Sequence, residues 1–214
     1  MRFLCLHGAG TGAEIFEIQS GGIIQALESQ GHKFKFINGK VNTEVEPELK
    51  GIFPPPFYSH YPRDTAPGTD LSKAIEYTLD IIARDGPFDA VLGFSQGAAL
   101  AFSLLMHHAQ THPSSPPLFK TAVFICGAAP YELSGLTLFS LKEGQAYPVS
   151  IPTAHIVGKL DPLYPVSMDL YASCEPSMAE LYDHGSKHMI PFDVKNNDAM
   201  VAVIERTIQR ALRG

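Results

Sequence analysis

Short apolar runs alternate with helical patterns along most of this chain. Six runs have the length and composition of buried strands, and they cover residues 3–6, 34–37, 88–92, 122–126, 155–157 and 178–182. Between most of them, apolar residues recur at helical spacing, and two patterns stand out: Leu71, Ile75, Leu79 and Ile82, and Met200, Ile204, Ile208 and Leu212. Asp70 is the predicted N-cap of the first of these helices. A weaker helix around Ile24 and Leu27 should end at Gly31. Residues 98–106 are apolar on every side, which predicts a buried helix.

This alternation predicts an α/β fold in which a mainly parallel sheet is covered by helices on both faces. Two stretches, 39–69 and 130–152, do not fit it. The first is rich in aromatic residues and contains six prolines, namely Pro47, Pro54, Pro55, Pro56, Pro62 and Pro67. Because long irregular segments in compact domains usually cover binding sites, both stretches are predicted substrate loops. Residues 1–214 contain no linker pattern and are predicted to form one domain.

Composition and charge restrict the partners. The chain has 45% hydrophobic and 18% charged residues and a formal net charge of −6. Without a cluster of Lys and Arg, we expect neither nucleic acid nor a membrane surface as a partner, and no apolar run reaches the roughly 18 residues of a membrane span. Cys5, Cys126 and Cys174 are odd in number and widely spaced, which favours buried thiols in a reducing compartment and a cytoplasmic location.

The strongest chemical signal is Gly93-Phe94-Ser95-Gln96-Gly97, which fits the G-x-S-x-G pattern. It follows a predicted strand and precedes a predicted helix. This is the context of a nucleophile elbow, a sharp turn that lifts a serine hydroxyl above the edge of the sheet. The glycines two residues before and after the serine are needed because the helix packs closely against the strand. The pattern therefore predicts Ser95 as a nucleophile.

A serine nucleophile needs a base, and the base needs an orienting acid. In hydrolases with this elbow the chain order is serine, acid, histidine. Asp161 directly follows the strand at 155–157, and His188 lies in the loop before the last helix, so both match the order. His184 competes with His188 but lies earlier in the loop. The other nearby acids, Asp183 and Asp193, are interpreted as a turn residue and a charge at a helix N-terminus.

Two other interpretations of these residues are a metal site and a nucleotide-binding loop. His184 and His188 have the spacing of a metal pair on a helix, but Gly185 and Pro191 argue against a helix there. Residues 8–13 also resemble the dinucleotide fingerprint of an oxidoreductase. That fingerprint requires an acidic residue after the second strand, where this chain has Asn38-Gly39. We therefore expect no metal and no cofactor.

The oxyanion of an acyl-transfer intermediate needs two backbone N–H donors, each worth about 3 kcal/mol. One should come from Gln96, the residue after the nucleophile. The other should come from the glycine-rich loop Leu6-His7-Gly8-Ala9-Gly10, in which Ala9 is preferred and Gly10 is the alternative.

With these motifs in view, the chain resembles the fungal and eukaryotic family of small serine hydrolases (FSH type, akin to the ovarian-cancer-associated serine hydrolase). The resemblance rests on the motifs at residues 4–8, 93–97, 158–162 and 185–188 and covers nearly the whole chain. It implies an α/β-hydrolase fold and places the family's catalytic serine, aspartate and histidine on Ser95, Asp161 and His188. The segment 7–16 looks most like members that act as stand-alone thioesterases in fungal polyketide pathways.

The resulting hypothesis is a serine hydrolase that cleaves acyl thioesters or esters. The resemblance implies release of a polyketide chain from an acyl carrier protein, and a simple carboxylesterase is the alternative. A hydrolase-fold binding module without turnover also stays open, because triad residues do not guarantee aligned geometry. Aromatic residues of the two loops are predicted to cover the acyl chain, among them Phe53, Phe57, Tyr58, Tyr61 and Tyr131.

Overall fold

The computed structural model describes residues 1–213 and contains a six-stranded parallel sheet. Its strands in chain order are β1 (Arg2–Leu6), β2 (Lys33–Ile37), β5 (Ala90–Phe94), β6 (Thr121–Ile125), β7 (Thr153–Val157) and β8 (Ala179–Asp183). The spatial order is β2-β1-β5-β6-β7-β8, and every neighbouring pair is parallel. The six predicted strands and the mainly parallel sheet are confirmed.

Burial explains why the central strands have almost continuously apolar sequences. Residues of the central strands β5, β6 and β7 are buried along their whole length, because helices cover both faces of the sheet. The edge strand β2 instead alternates between exposed and covered positions. In the register of the sheet, Leu6 pairs with Gly93 and Phe94 pairs with Ile125. The loops that follow β1, β5 and β6 therefore leave the sheet side by side.

Six α-helices and two hydrophobic cores complete the layers. The helices are α1 (Ala13–Gln19), α2 (Gly21–Glu28), α3 (Thr69–Asp85), α4 (Gln96–Thr111), α5 (Tyr164–Ala172) and α6 (Val194–Arg213). One core contains residues of α3, α4 and α5, and the other contains residues of α1, α2 and α6. The helix predicted to be apolar on every side is α4, whose residues 96–106 are buried.

The structure corrects several local predictions. Segment 39–69 is not wholly irregular, because β3 (Val41–Thr43) and β4 (Phe57–Ser59) form a small antiparallel sheet, with a 3-10 turn at Pro47–Leu49 between them. The N-cap of α3 is Gly68 rather than Asp70, whose carboxylate pairs with Lys73. Helix α5 was not predicted. Segment 130–152 contains isolated bridges but no helix or longer strand. Among residues 1–213, every helix is too short or too polar to cross a membrane.

Candidate active site

Ser95 occupies the turn between β5 and α4. Its backbone has φ 53° and ψ −116°, a conformation that residues other than glycine rarely adopt. Backbone hydrogen bonds hold this turn in place. The Ser95 N–H donates to Ile125 at 2.9 Å, and its carbonyl accepts from Ala128 at 3.1 Å. Strain at a position fixed from the neighbouring strand is typical of a functional residue.

Gly93 and Gly97 permit this turn because no side chain fits at either position. A Cβ on Gly97 would lie 2.0 Å from the carbonyl oxygen of Leu6, which means that α4 passes directly against the end of β1. A Cβ on Gly93 would lie 2.5 Å from the carbonyl oxygen of Gly97. The predicted reason for the two glycines, close packing of helix against strand, is confirmed by these contacts.

Asp161 and His188 are joined, as the chain order predicts. Asp161 lies in the loop after β7, and its Oδ2 accepts a hydrogen bond from Nδ1 of His188 at 2.7 Å. The other carboxylate oxygen accepts from the Leu163 N–H at 2.8 Å. The Asp161 side chain is fully buried, whereas that of His188 is 20% exposed. This arrangement leaves Nε2 of His188 free to face the cavity.

The electrostatics of Asp161 favour its charged form. Burial alone would raise the pKa of this carboxyl, but hydrogen bonds from His188 and Leu163 and the charge of His188 outweigh burial and lower it below its ordinary value. Asp161 is therefore a carboxylate that can fix the tautomer of His188 and stabilise its protonated form.

Ser95 and His188 line the same two cavities, which meet at the elbow. Within residues 1–213, no direct hydrogen bond joins the Ser95 hydroxyl to His188. Nucleophile and base commonly come into hydrogen-bond contact only when substrate is bound. The arrangement can therefore perform nucleophilic acyl transfer once His188 Nε2 closes on the hydroxyl.

The backbone amides beside Ser95 include both predicted oxyanion donors. Gln96 is the first residue of α4, where N–H groups have no helical acceptor and the helix dipole favours negative charge. Ala9 lines both cavities together with Ser95. The alternative donor is already engaged, because the Gly10 N–H donates to Oγ of Ser59 at 3.1 Å. The geometry therefore favours Ala9 over Gly10.

A buried histidine pair supports the loop that carries Ala9. The His7 Nε2 atom accepts from the Gly39 N–H at 2.9 Å, so the proton of the neutral ring is on Nδ1, which donates to the Gly8 carbonyl at 2.6 Å. His60 stacks on His7 with ring centroids 4.5 Å apart, and its Nε2 donates to the His7 carbonyl at 3.1 Å. The Gln96 side chain accepts from the His60 N–H at 2.8 Å. Sequence reasoning did not find this network.

His7 and His60 of this network, together with the buried His155 of β7, predict that the protein loses stability in acid. Burial lowers the pKa of His7 from 6.5 to about 4 and that of His155 to about 3, and it also lowers that of His60. Between pH 6.5 and 4 the unfolded chain therefore binds protons that the folded protein does not, so stability is lost as the pH falls. We expect the free energy of unfolding in urea to decrease by about 1.4 kcal/mol per pH unit for each such histidine, approaching about 3 kcal/mol for His7.

Two variants check the assignment of this pH dependence. His155→Gln should make the decrease shallower, because it removes one buried titrating ring. His112→Gln changes an exposed residue and should leave the slope as it is. A free energy of unfolding that stays constant between pH 7 and 5 would contradict the buried neutral state of these rings.

His184, the competing histidine, is buried and lies against Cys126. Its Nδ1 accepts from the Ser186 N–H at 3.2 Å, and its Nε2 lies 3.6 Å from Sγ of Cys126. It does not line the cavities with Ser95. His184 and His188 therefore lie in different surroundings.

Cys126, Asp161 and His188 offer ligand atoms within 4.8 Å of one another. However, the Asp161 and His188 atoms are already paired. Burial, together with the charge of Asp161, raises the pKa of the Cys126 thiol, which favours the protonated form that metals do not bind. Cys5, Cys126 and Cys174 are all buried and free, as predicted.

The two cavities differ in character. The first, of about 420 Å³, is mainly apolar and is lined by Leu49, Ile52, Phe53, Phe94, Ile190 and Phe192 among others. The second, of about 490 Å³, has a mixed lining that includes Tyr61, Arg63, Asp64, Tyr131 and Leu138. Ser95 and His188 belong to both, so a substrate bound at Ser95 can extend into either.

The structure brings only some of the predicted aromatic residues to Ser95. Tyr61 and Tyr131 line the mixed cavity, and Phe53 lines the apolar one. Phe57 and Tyr58 do not lie there. They belong to β4, where Phe57 is buried and Tyr58 exchanges backbone hydrogen bonds with Thr11 at 3.2 and 2.7 Å.

The apolar cavity also contains residues that the sequence did not single out. Ile18 is at the end of α1, Ile52 precedes the proline run, and Phe192 precedes α6. All three are more than half exposed, which is unusual for large apolar side chains around one opening. These three side chains come from segments that are distant in the sequence, so their grouping around one opening could not be predicted from the sequence.

At the start of α1, where residues 8–13 resemble a nucleotide-binding loop, a side chain of the protein itself occupies the backbone donor. The Ala13 N–H at the start of α1 donates to Oδ1 of Asn38 at 2.7 Å, so it is already engaged and is not directed at a phosphate oxygen. A dinucleotide would place its pyrophosphate at this helix N-terminus. Asn38 thus stands at the end of β2, where the fingerprint requires an acid, and occupies the donor instead.

A parallel sheet with a serine elbow after β5 and a joined acid and histidine after β7 and β8 defines an α/β-hydrolase with serine-hydrolase chemistry. Solved structures agree on the fold. SOBER1 of Arabidopsis thaliana aligns with a TM-score of 0.63 at 15% identity over 97% of this chain and 99% of that one. A Bacillus cereus carboxylesterase aligns with a TM-score of 0.60 at 19% identity over 96% and 87%.

The chain belongs to the serine hydrolase (FSH1) family, which it matches over residues 1–200. Among its relatives is an esterase of Fusarium mangiferae, FPY3, that is 36% identical over the whole length of both chains. The hydrolase phiM of Talaromyces stipitatus is 31% identical over 96% of this chain and 87% of its own. The protein is therefore a hydrolase of the serine class, and the predicted family and fold are confirmed.

Proposed function

We propose that the protein hydrolyses acyl esters or thioesters through an acyl-enzyme formed on Ser95. The observation that carries this proposal is the strained elbow at Ser95 beside a histidine that is hydrogen-bonded at 2.7 Å to a buried carboxylate. A strained nucleophile position, an oriented base and free amides occur together at the junction of two cavities. This combination supports nucleophilic catalysis rather than ligand storage.

The steps follow from the positions of the groups. His188 Nε2 removes the proton of the Ser95 hydroxyl as its oxygen attacks the substrate carbonyl, and the Ala9 and Gln96 amides stabilise the oxyanion. Collapse of the intermediate breaks the bond to the leaving group, which takes the proton from His188. Water then attacks the acyl-enzyme and gives a proton to His188. The bond to the Ser95 oxygen breaks, the carboxylic acid is released, and the Ser95 oxygen takes the proton back from His188, while Asp161 stabilises the imidazolium in each half-reaction.

The two cavities suggest how the substrate is divided. The apolar cavity, with Phe53, Ile190 and Phe192, suits an acyl chain, because removing apolar surface from water on binding lowers the free energy. The mixed cavity then receives the leaving group. Segments 39–69 and 130–152 supply residues to these walls, including Ile52 and Tyr131. We therefore propose that both segments act as substrate loops of one domain spanning residues 1–214.

Charge distinguishes two kinds of leaving group. Glu46, Glu48 and Asp64 line the mixed cavity, and the one arginine there, Arg63, forms an ion pair with Glu46. The phosphate of a carrier-protein arm or of coenzyme A would be repelled by this lining. An uncharged alcohol or thiol is therefore the first candidate. Release of a polyketide chain from an acyl carrier protein, which the resemblance implies, is the second.

A reducing compartment such as the cytoplasm suits this protein. Its three cysteines, Cys5, Cys126 and Cys174, are buried and free, and free thiols persist in reducing compartments.

Labelling followed by a substrate panel tests the proposal. The protein should gain one adduct in intact mass after treatment with a fluorophosphonate, and Ser95→Ala should not. The panel then compares ethyl esters, thioesters of an uncharged thiol, coenzyme A thioesters and carrier-bound thioesters of the same acyl chain. Faster hydrolysis of the uncharged pair would support the charge argument. If well-folded protein formed no adduct and cleaved none of these substrates, a binding module would be the better interpretation.

A further inference from the structure

A buried cysteine lies beside the acid and the base of the triad without belonging to it. Cys126 directly follows β6 and is fully buried, and its Sγ lies within 4.8 Å of a carboxylate oxygen of Asp161 and of a ring nitrogen of His188. Its backbone has φ 45°, a left-handed conformation that residues other than glycine rarely adopt. The Cys126 N–H donates to the Ile156 carbonyl at 2.8 Å, so the neighbouring strand fixes this strained position.

The thiol contacts two residues of the loop that carries His188. Nδ1 of His184 accepts from the Ser186 N–H at 3.2 Å, so the proton of the neutral ring is on Nε2, which lies 3.6 Å from Sγ of Cys126. Burial lowers the pKa of His184, which favours the neutral ring. The thiol accepts from this ring and donates its own proton to the Met189 carbonyl at 3.7 Å. It is therefore hydrogen-bonded to the loop both before and after the base.

His184 extends this contact to the loop that carries the acid. A Cβ on Gly158, the residue after β7, would lie 2.6 Å from Cε1 of His184 and 2.3 Å from the carbonyl oxygen of Ser186. The acid loop and the base loop therefore touch through their backbones, with the His184 ring against the contact. The thiol of Cys126 lies where the end of β6 meets both loops.

From this geometry we infer that Cys126 is a positioning residue for the proposed reaction. Its thiol fixes the loop on either side of His188 and so keeps that histidine bonded to Asp161 with Nε2 facing the cavity. The inference rests on the proposed function, because that function makes His188 the base. Cys126 lines neither of the two cavities at the serine, so it acts through the loop and not on the substrate.

The rate of labelling by a fluorophosphonate measures how well the serine is activated. Cys126→Ala should slow labelling by about 10- to 100-fold, and the matching loss with an ethyl ester should fall on kcat while KM changes little. Cys126→Ser leaves a gap of similar size but can still accept from His184 and donate to Met189, so it should label faster than the alanine variant. Cys174→Ala removes another fully buried thiol, which donates to the Leu170 carbonyl at 3.6 Å, and should label like the parent.

Coupling to the acid–base pair is the measurement that a merely structural role would not change. In an Asp161→Asn background the histidine has already lost its carboxylate, so adding Cys126→Ala should slow labelling by less than about threefold more. The inference is overturned if Cys126→Ala labels at the parent rate, if Cys126→Ser is no faster than Cys126→Ala, or if the loss is equal in both backgrounds. Failure of the proposed function would show separately, as a parent protein that neither forms the adduct nor cleaves esters.

Discussion

Ser95→Ala is expected to lower kcat/KM for acyl esters by roughly 10⁴- to 10⁶-fold, the largest effect of any single substitution in this protein. In the proposed mechanism the hydroxyl oxygen forms the acyl-enzyme, and alanine leaves no replacement for it. The residual rate would come from the Ala9 and Gln96 amides and from substrate binding alone. Steady-state hydrolysis of a chromogenic ester measures the loss.

The matched control is Ser103→Ala, also on α4. The Ser103 hydroxyl donates to the Ala99 carbonyl at 3.0 Å and does not reach the cavities, so its loss should change activity little. Alanine also relieves no strain at Ser95, where φ is 53°, so the fold should keep its melting temperature to within a few degrees. Ester turnover within tenfold of the parent in Ser95→Ala would rule out the proposed nucleophile.

Asp161→Asn should reduce kcat by about 10⁴-fold, the second largest expected effect. The asparagine keeps the shape of the side chain, and it can still accept from the Leu163 N–H. It loses the charge that stabilises protonated His188. It can also present N–H to Nδ1 of His188, which would place the histidine proton on Nε2 and leave no base for Ser95.

The readout for this variant should include pH as well as rate. If the loss arises from the wrong tautomer, activity should recover in part at high pH, where hydroxide replaces the base. Asp169→Asn removes an exposed carboxylate on α5 and serves as the control, with activity expected near that of the parent. A loss of less than tenfold in Asp161→Asn would show that this carboxylate does not orient the base.

The candidate site was predictable where it depends on the order of elements. Ser95, Asp161 and His188 each follow a strand, and parallel strands deliver the residues after their carboxyl ends to one edge of the sheet. The steric need for Gly97 could also be predicted from the sequence, because a nucleophile elbow requires a glycine two residues after the serine. Local order and a common sheet edge were sufficient for these residues.

What remained hidden depends on contacts between distant segments. The aromatic content of 39–69 indicated a substrate wall, but not that β4 would turn Phe57 and Tyr58 away from it. Helix α5 carries little amphipathic pattern, since its buried residues are Ser167 and Leu170.

Because of the histidine network described above, we expect activity to depend on a part of the chain that lies outside the six-stranded sheet. Segment 39–60 holds the oxyanion loop through Gly39, Glu46, Ser59 and His60, and none of these residues belongs to the six-stranded sheet. Opening of that segment would release the loop while the sheet stays intact, as in the sub-global openings seen by hydrogen exchange. Loss of activity on mild denaturation or limited proteolysis would then mean that segment 39–60 has detached from the oxyanion loop, and not that the whole protein has unfolded.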